Sequence, residues 1–150
     1  MALQVTSNRL PMSPTININN VYVMIPKDSV AYLPGDASWG FKTFYYLNRD
    51  TRNLAKVLAY FVSLSEKPSE WSDTRWAAVQ NIKNIQVGLV FAIETHTADD
   101  MGVADPTNID AALAAIYTWV KANNEPTAQD ILDDSTLEDL VSAYFLSQGI

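Results

Sequence analysis

The stretch Asp50–Ile93 constrains this chain most, because no other part carries as much large apolar surface that must be buried. Its first section repeats apolar residues at Leu54, Val57, Leu58, Phe61 and Val62. That period, near 3.6, predicts an amphipathic helix, with Asp50 placed to cap its first turn. Lys67-Pro68 interrupts it, since a residue before proline is pushed out of the α region. Trp71, Trp76, Val79 and Ile82 then predict a second helix over Glu70–Asn84, capped by Ser69. The stretch ends in Val87-Gly88-Leu89-Val90-Phe91-Ala92-Ile93. Periodicity does not separate helix from strand in so short an apolar run. The spacing of Ile82, Ile85, Leu89 and Ile93 favours helix for Ile85–Ile93, with a buried strand as the alternative. Gly88 weighs against the helix by about 1 kcal/mol relative to Ala.

Towards the N-terminus the pattern differs. Residues 1–14 have no periodicity and carry Pro11 and Pro14, so they read as an extended arm. In Thr15–Ile25, alternating apolar positions flank Asn19-Asn20. Asn tolerates the positive φ of tight turns, which predicts a β-hairpin, with one continuous strand as the alternative. Val30–Leu33 reads as a short strand, Pro34-Gly35-Asp36 as a turn, and the aromatic-rich Trp39–Leu47 as a strand.

In the C-terminal half, Thr95–Asp105 is polar and reads as a loop. Pro106-Thr107-Asn108-Ile109-Asp110 and Pro126-Thr127-Ala128-Gln129-Asp130 each place Thr three residues before an acid, as Ser135-Thr136-Leu137-Glu138 does with Ser. This resembles capping-box chemistry and predicts helices over 108–123, 128–133 and 136–147. The first would bury Ile109, Leu113, Ile116, Tyr117 and Val120, and the last Leu137, Leu140, Val141, Tyr144 and Phe145, with Gly149 as its stop. The expected fold class is mainly α: four to five helices in a single globular domain over 15–150, with a small N-terminal β element and an extended arm at 1–14. The alternative is α+β, which gains if Ile85–Ile93 is a strand.

At 150 residues the chain is the size of one core. It contains no cysteine, so disulfides, thiolate nucleophiles and cysteine-ligated metals are excluded. Met1–Leu10 has no apolar targeting core, and the longest apolar run, about seven residues, falls short of the roughly 20 a membrane span needs. A soluble protein of the cytoplasm or of a virion is the expectation. Net charge is −7, but residues 1–83 hold nine Lys/Arg against six Asp/Glu, whereas residues 84–150 hold Lys121 against eleven Asp/Glu. Such a split describes either two solvated faces or a molecule with opposite poles that meets copies of itself head to tail.

Candidate chemistry is sparse. His96, the one histidine, lies in His96-Thr97-Ala98-Asp99-Asp100, but the stretch matches no known ligand spacing, and a surface or structural role is the expected one. The adjacent acids Asp99-Asp100 and Asp133-Asp134 read as charges near helix starts rather than as an acid–base pair. No nucleophile elbow and no phosphate-cradling loop occurs. Arg49, Arg52 and Lys56 share a helix face near Phe44, Tyr45 and Tyr46, the elements of a single-strand nucleic-acid surface. Three cations on an acidic protein make a shallow electrostatic footprint, so a solvated helix face beside core aromatics is expected instead. Some of Trp39, Tyr45, Tyr46, Trp71 and Trp119 are candidates for a partner surface, since aromatics serve cores first and interfaces second.

No catalytic, cofactor-binding or metal residue is assigned. The expected function is a non-enzymatic structural or assembly subunit of a large homo-oligomer, such as a capsid, coat or tail protein of a virus or phage particle. Self-association would use the N-terminal arm and the opposite-charge halves. The alternative is a small acidic binding protein, an inhibitor or adaptor, docking its 94–139 surface on a basic partner. An enzyme built from scattered acids, Tyr and Ser is a third reading and would require converging titratable groups in a pocket.

Overall fold

The computed structural model describes residues 1–7, 18–83, 89–99, 101–133 and 135–150. The chain forms two compact units that interleave in sequence: Met1–Arg49 with Val90–Asp133, and Asp50–Leu89 with Asp134–Ile150.

The first unit is a six-stranded antiparallel sheet covered by one helix. Its strands are β1 (Ala2–Ser7), β2 (Ile18–Met24), β3 (Ala31–Leu33), β4 (Ser38–Tyr46), β5 (Val90–Asp99) and β6 (Gln129–Ile131), and a 3₁₀ turn, Lys27–Ser29, precedes β3. The nine residues of β4 make it the spine. One of its edges pairs with β5 along its whole length, from Ser38↔Asp99 to Tyr46↔Val90. Its other edge is shared, β3 pairing with Ser38–Gly40 and β2 with Phe44–Tyr46. β2 continues to β1, and β1 to β6.

Trp39, Phe41, Thr43 and Tyr45 alternate along β4 and face inward, together with Leu3, Val5, Val21, Val23, Ile25 and Ala98 of neighbouring segments. The helix α1 (Arg49–Ser63) follows β4, α2 spans Asp73–Lys83, and α3 spans Ile109–Asn123. α3 closes the sheet's core with Ala112, Ile116, Tyr117 and Val120, a stripe at helical spacing. Two tyrosines tie it down. The Ile25 amide donates to Tyr117 Oη at 3.0 Å, and Tyr45 Oη donates to the buried Glu125, just past the helix end, at 3.2 Å.

The second unit consists of α1 from Asp50 onward, α2, and α4 (Leu137–Gln148). Its core is Val57, Phe61, Trp71, Val79, Val141 and Phe145. The aromatic rings pack mainly edge to face: Phe61 and Trp71 at 5.9 Å and 89°, Trp71 and Phe145 at 5.2 Å and 89°. Such pairs add about 0.5–1.5 kcal/mol beyond the area they bury. Arg75 seals the cluster by lying 4.7 Å over the Phe145 ring and donating from Nε to the Ile150 carbonyl at 3.0 Å.

The fold is therefore α+β, not mainly α. The largest correction falls on Ile85–Ile93. Residues 85–88 lie outside the described residues, but from Val90 the chain is strand, and that strand runs on through Thr95–Asp99, where a loop was expected. Period-two patterning is hidden there because two inward positions, Glu94 and His96, are polar. The 128–133 helix is absent. Gln129–Ile131 instead adds a strand to the edge of β1, because so short a segment gains more from an existing ladder than from nucleating a helix. The Asn19-Asn20 hairpin is likewise a single strand. Asn20 does take a positive φ of 64°, but at a bulge, where β2 advances three residues from Ile18 to Val21 while β1 advances two. Of the arm at 1–14, Ala2–Ser7 is β1, and residues 8–14 lie outside the described residues.

Helix ends also moved. α2 is capped by Ser72, whose Oγ accepts from the Arg75 amide, and α3 by Asn108, whose Oδ1 accepts from the Ala111 amide. Thr107 instead donates both its amide and its hydroxyl to Asp105, at 2.9 and 2.7 Å. α4 matches the expectation closely, with Thr136 as cap and Gly149 at φ 71° as its left-handed stop.

These two hydrogen bonds hold the Asp105 carboxyl below its ordinary value, the Thr107 hydroxyl contributing most. A carboxyl depressed in the folded state stabilises above its unfolded pKa and loses that contribution as pH falls through the folded pKa. Asp105→Asn is accordingly expected to lower Tm slightly near neutrality, where the ionised carboxyl contributes, and to converge with wild type at low pH, which flattens the acid limb of a Tm-against-pH profile. An unchanged acid limb would refute the coupling.

Candidate assembly edge

The structure disperses the sequence's chemical candidates. His96 lies on the inward face of β5, its ring 5.4 Å from Phe41 and 5.9 Å from Trp119, with Asn124 Nδ2 3.3 Å from Nε2. Asp99 is three positions on and on the opposite face, because strand side chains alternate, so the two do not converge. Asp100 and Asp134 lie outside the described residues. Among the described residues, no three His, Asp or Glu side chains come close enough to hold a metal.

The proposed cationic stripe does not form either. Arg52 is buried and bonds Asn53, Arg49 donates to the Leu132 carbonyl at 2.7 Å, and Lys56 is half-buried. Tyr45 and Tyr46, offered as stacking surfaces, are also buried. The aromatics named for a partner surface turn out to be core. Trp39, Tyr45, Tyr46 and Trp71 are all buried, and only Trp119 is partly open, beside a shallow groove of about 500 Å³ with Met101, Ala115 and Thr118.

The charge halves of the sequence are also interleaved by the fold. Because the units interleave, the first contains five Lys/Arg against ten Asp/Glu and the second five against seven. Both are acidic. Lys27 of the basic half pairs with Asp110 of the acidic half at 2.7 Å, within one unit. The basic and acidic halves of the sequence therefore do not correspond to two separate units of the fold.

What the fold presents instead is an edge. β5 is ten residues long and pairs with β4 on one side, while no described strand pairs with its other side. Its outward face carries Ile93, Thr95, Thr97 and Asp99, all exposed, and Ile93 is 55% exposed. Natural edge strands are commonly blunted by shortness, lysine, proline, bulges or inward-pointing charges, and of these β5 has the inward Glu94 and one register shift. β5 has no lysine, arginine or proline, and its one irregularity, the register shift opposite Tyr45/Tyr46, lies at its N-terminal end. The opposite edge of the sheet is β6, only three residues long. Further exposed apolar residues, Met1 and Leu132, flank the β1–β6 pair, whose Ala2↔Ile131 register makes them neighbours.

In the second unit, a cleft of about 450 Å³ is floored by Trp71, Val141 and Phe145, with Glu70 and Glu138 exposed in its lining beside Arg75. Sequence reasoning missed the β5 edge because Glu94–Asp99 looks like a polar loop. The available signal was the Thr95/Thr97 alternation of β-branched residues, which suits a pleated surface. No described helix is long and apolar enough to cross a membrane. No known protein family, curated protein or solved structure matches the chain.

Proposed function

We propose that this chain is a non-enzymatic structural subunit that self-associates into a large homo-oligomer, the kind of subunit from which a virus or phage particle is assembled. The observation that carries the proposal is the long, lysine-free edge of β5 with the exposed Ile93. An edge of this kind is a template for another strand. The cysteine-free composition and the placing of most aromatics inside the two cores fit a part whose work is done by its surface.

A second reading is a small acidic protein that docks on a basic partner. It is supported by the acidity of both units and by the Glu70/Glu138 cleft. The two readings separate by sedimentation velocity over a wide concentration range. The proposal expects mass to rise with concentration above that of the 16.7 kDa chain. A monomer at every concentration, together with salt-sensitive binding to polylysine, would replace it with the second reading.

A further inference from the structure

We infer that β5 pairs antiparallel with β5 of a second copy of this chain, across a two-fold axis centred on Thr95, so that two six-stranded sheets become one. The inference rests on the self-association proposed above and specifies its contact, register and symmetry.

The register follows from the strand's own pattern. A two-fold axis normal to the sheet keeps the inward faces of both copies on the same side. Inward residues must then oppose inward residues, which requires the axis to pass through a residue rather than between two. For a strand running from Val90 to Asp99, the two longest such overlaps are centred on Glu94 and on Thr95. Centring on Glu94 places that carboxylate opposite its own copy, a like-charge pair at close cross-strand distance, which is destabilising. Centring on Thr95 places Glu94 opposite the second copy's His96 twice, once on each side of the axis. An imidazole N–H donates to a carboxylate whether the ring is neutral or protonated. Of the remaining pairs, the outermost sets Phe91, at the register shift, opposite Asp99, and the other three suit a ladder. Ala92 meets Ala98 on the inward face. On the outward face Thr95 meets Thr95 and Ile93 meets Thr97, which covers the most exposed apolar side chain of the strand. The opposite edge of the sheet cannot do this equally well, because β6 offers three residues, and its Asp130 is engaged by Lys121 at 3.0 Å.

Because the chain has no cysteine, introduced cysteines report on this register without interference. Opposed residues on antiparallel strands have Cα atoms about 4.5–5.5 Å apart, within disulfide reach. Under oxidant, Thr95→Cys is expected to give a disulfide-linked dimer in near-complete yield. Thr97→Cys, whose two copies would stand four residue steps apart, about 13 Å, is expected to give none. Thr95→Lys, with far-ultraviolet circular dichroism verifying the fold, is expected to abolish the dimer in sedimentation velocity. If the wild-type chain associates but Thr95→Cys fails to cross-link, or Thr97→Cys cross-links instead, the inference is overturned while self-association stands. If the wild-type chain is monomeric throughout, both fall.

Discussion

Phe61→Ala is expected to destabilise the chain by about 3–5 kcal/mol, the range for emptying an aromatic site in a close-packed core. Phe61 is fully buried. Its ring meets Trp71, Tyr144 and Phe145, with centroids 5.9, 5.5 and 5.7 Å away. Stiff rings on several sides relax poorly into a cavity, which places the expected cost towards the upper end of that range. The neighbouring Val62 is 61% exposed, so Val62→Ala is expected to stay within about 0.5 kcal/mol of wild type. Urea denaturation of both variants measures the contrast. A loss below about 1.5 kcal/mol for Phe61→Ala would mean that the three-helix cluster is not packed as described.

Phe41→Ala is expected to cost a similar amount, about 3–5 kcal/mol, for a different reason. Phe41 is 2% exposed at the centre of the spine strand, where sheet and helix meet. Its ring contacts Trp119 of α3 edge-on at 5.6 Å and lies 5.4 Å from the His96 ring of β5. Removing it takes away the side chain that joins α3 to both strands at once. A double-mutant cycle with Trp119→Ala is expected to show a coupling of about 0.5–1.5 kcal/mol, the value of an edge-to-face pair. Amide exchange along β5 should also accelerate in Phe41→Ala, since the ladder partner on β4 loses its packed support. Strictly additive energies would indicate that the two rings do not touch. Phe44→Ala, on the opposite face and half-buried, is the matched control and should cost less.

The proposed association surface follows from the same strand. With its inward side chains held by Phe41, Trp119 and the helix, β5 has one remaining edge, and its length rather than its hydrophobicity makes it suited to a second copy. In the proposal above, strand addition takes the place of the electrostatic contact expected from the sequence. The charge contrast between the two halves of the chain is real as a count but is mixed by the fold into two acidic units.

Several features were legible because they are local. The run Leu54–Val62, the Thr136 cap and the Gly149 stop specify helices through contacts within a few residues, and those helices form where expected. The core positions of α3 were legible for the same reason, since Ile116, Tyr117 and Val120 lie at helical spacing. The aromatic strand Trp39–Leu47 was also readable from composition, although its role as the spine was not.

What the tertiary structure decided depends on partners distant in sequence. Val90–Asp99 is a strand because β4, about fifty residues earlier, offers a full-length edge. Gln129–Ile131 is a strand because β1 does the same at the other side of the sheet. Asn20 was rightly marked for positive φ, but only pairing with β1 turned that property into a bulge instead of a hairpin turn. The sequence by itself determined the helical cores, the Thr136 cap and Gly149 stop of α4, and the absence of cysteine chemistry. Strand identity, the mixing of charge and the one long edge required the folded chain, because a hydrogen-bonded ladder is a property of two segments and neither segment records it alone.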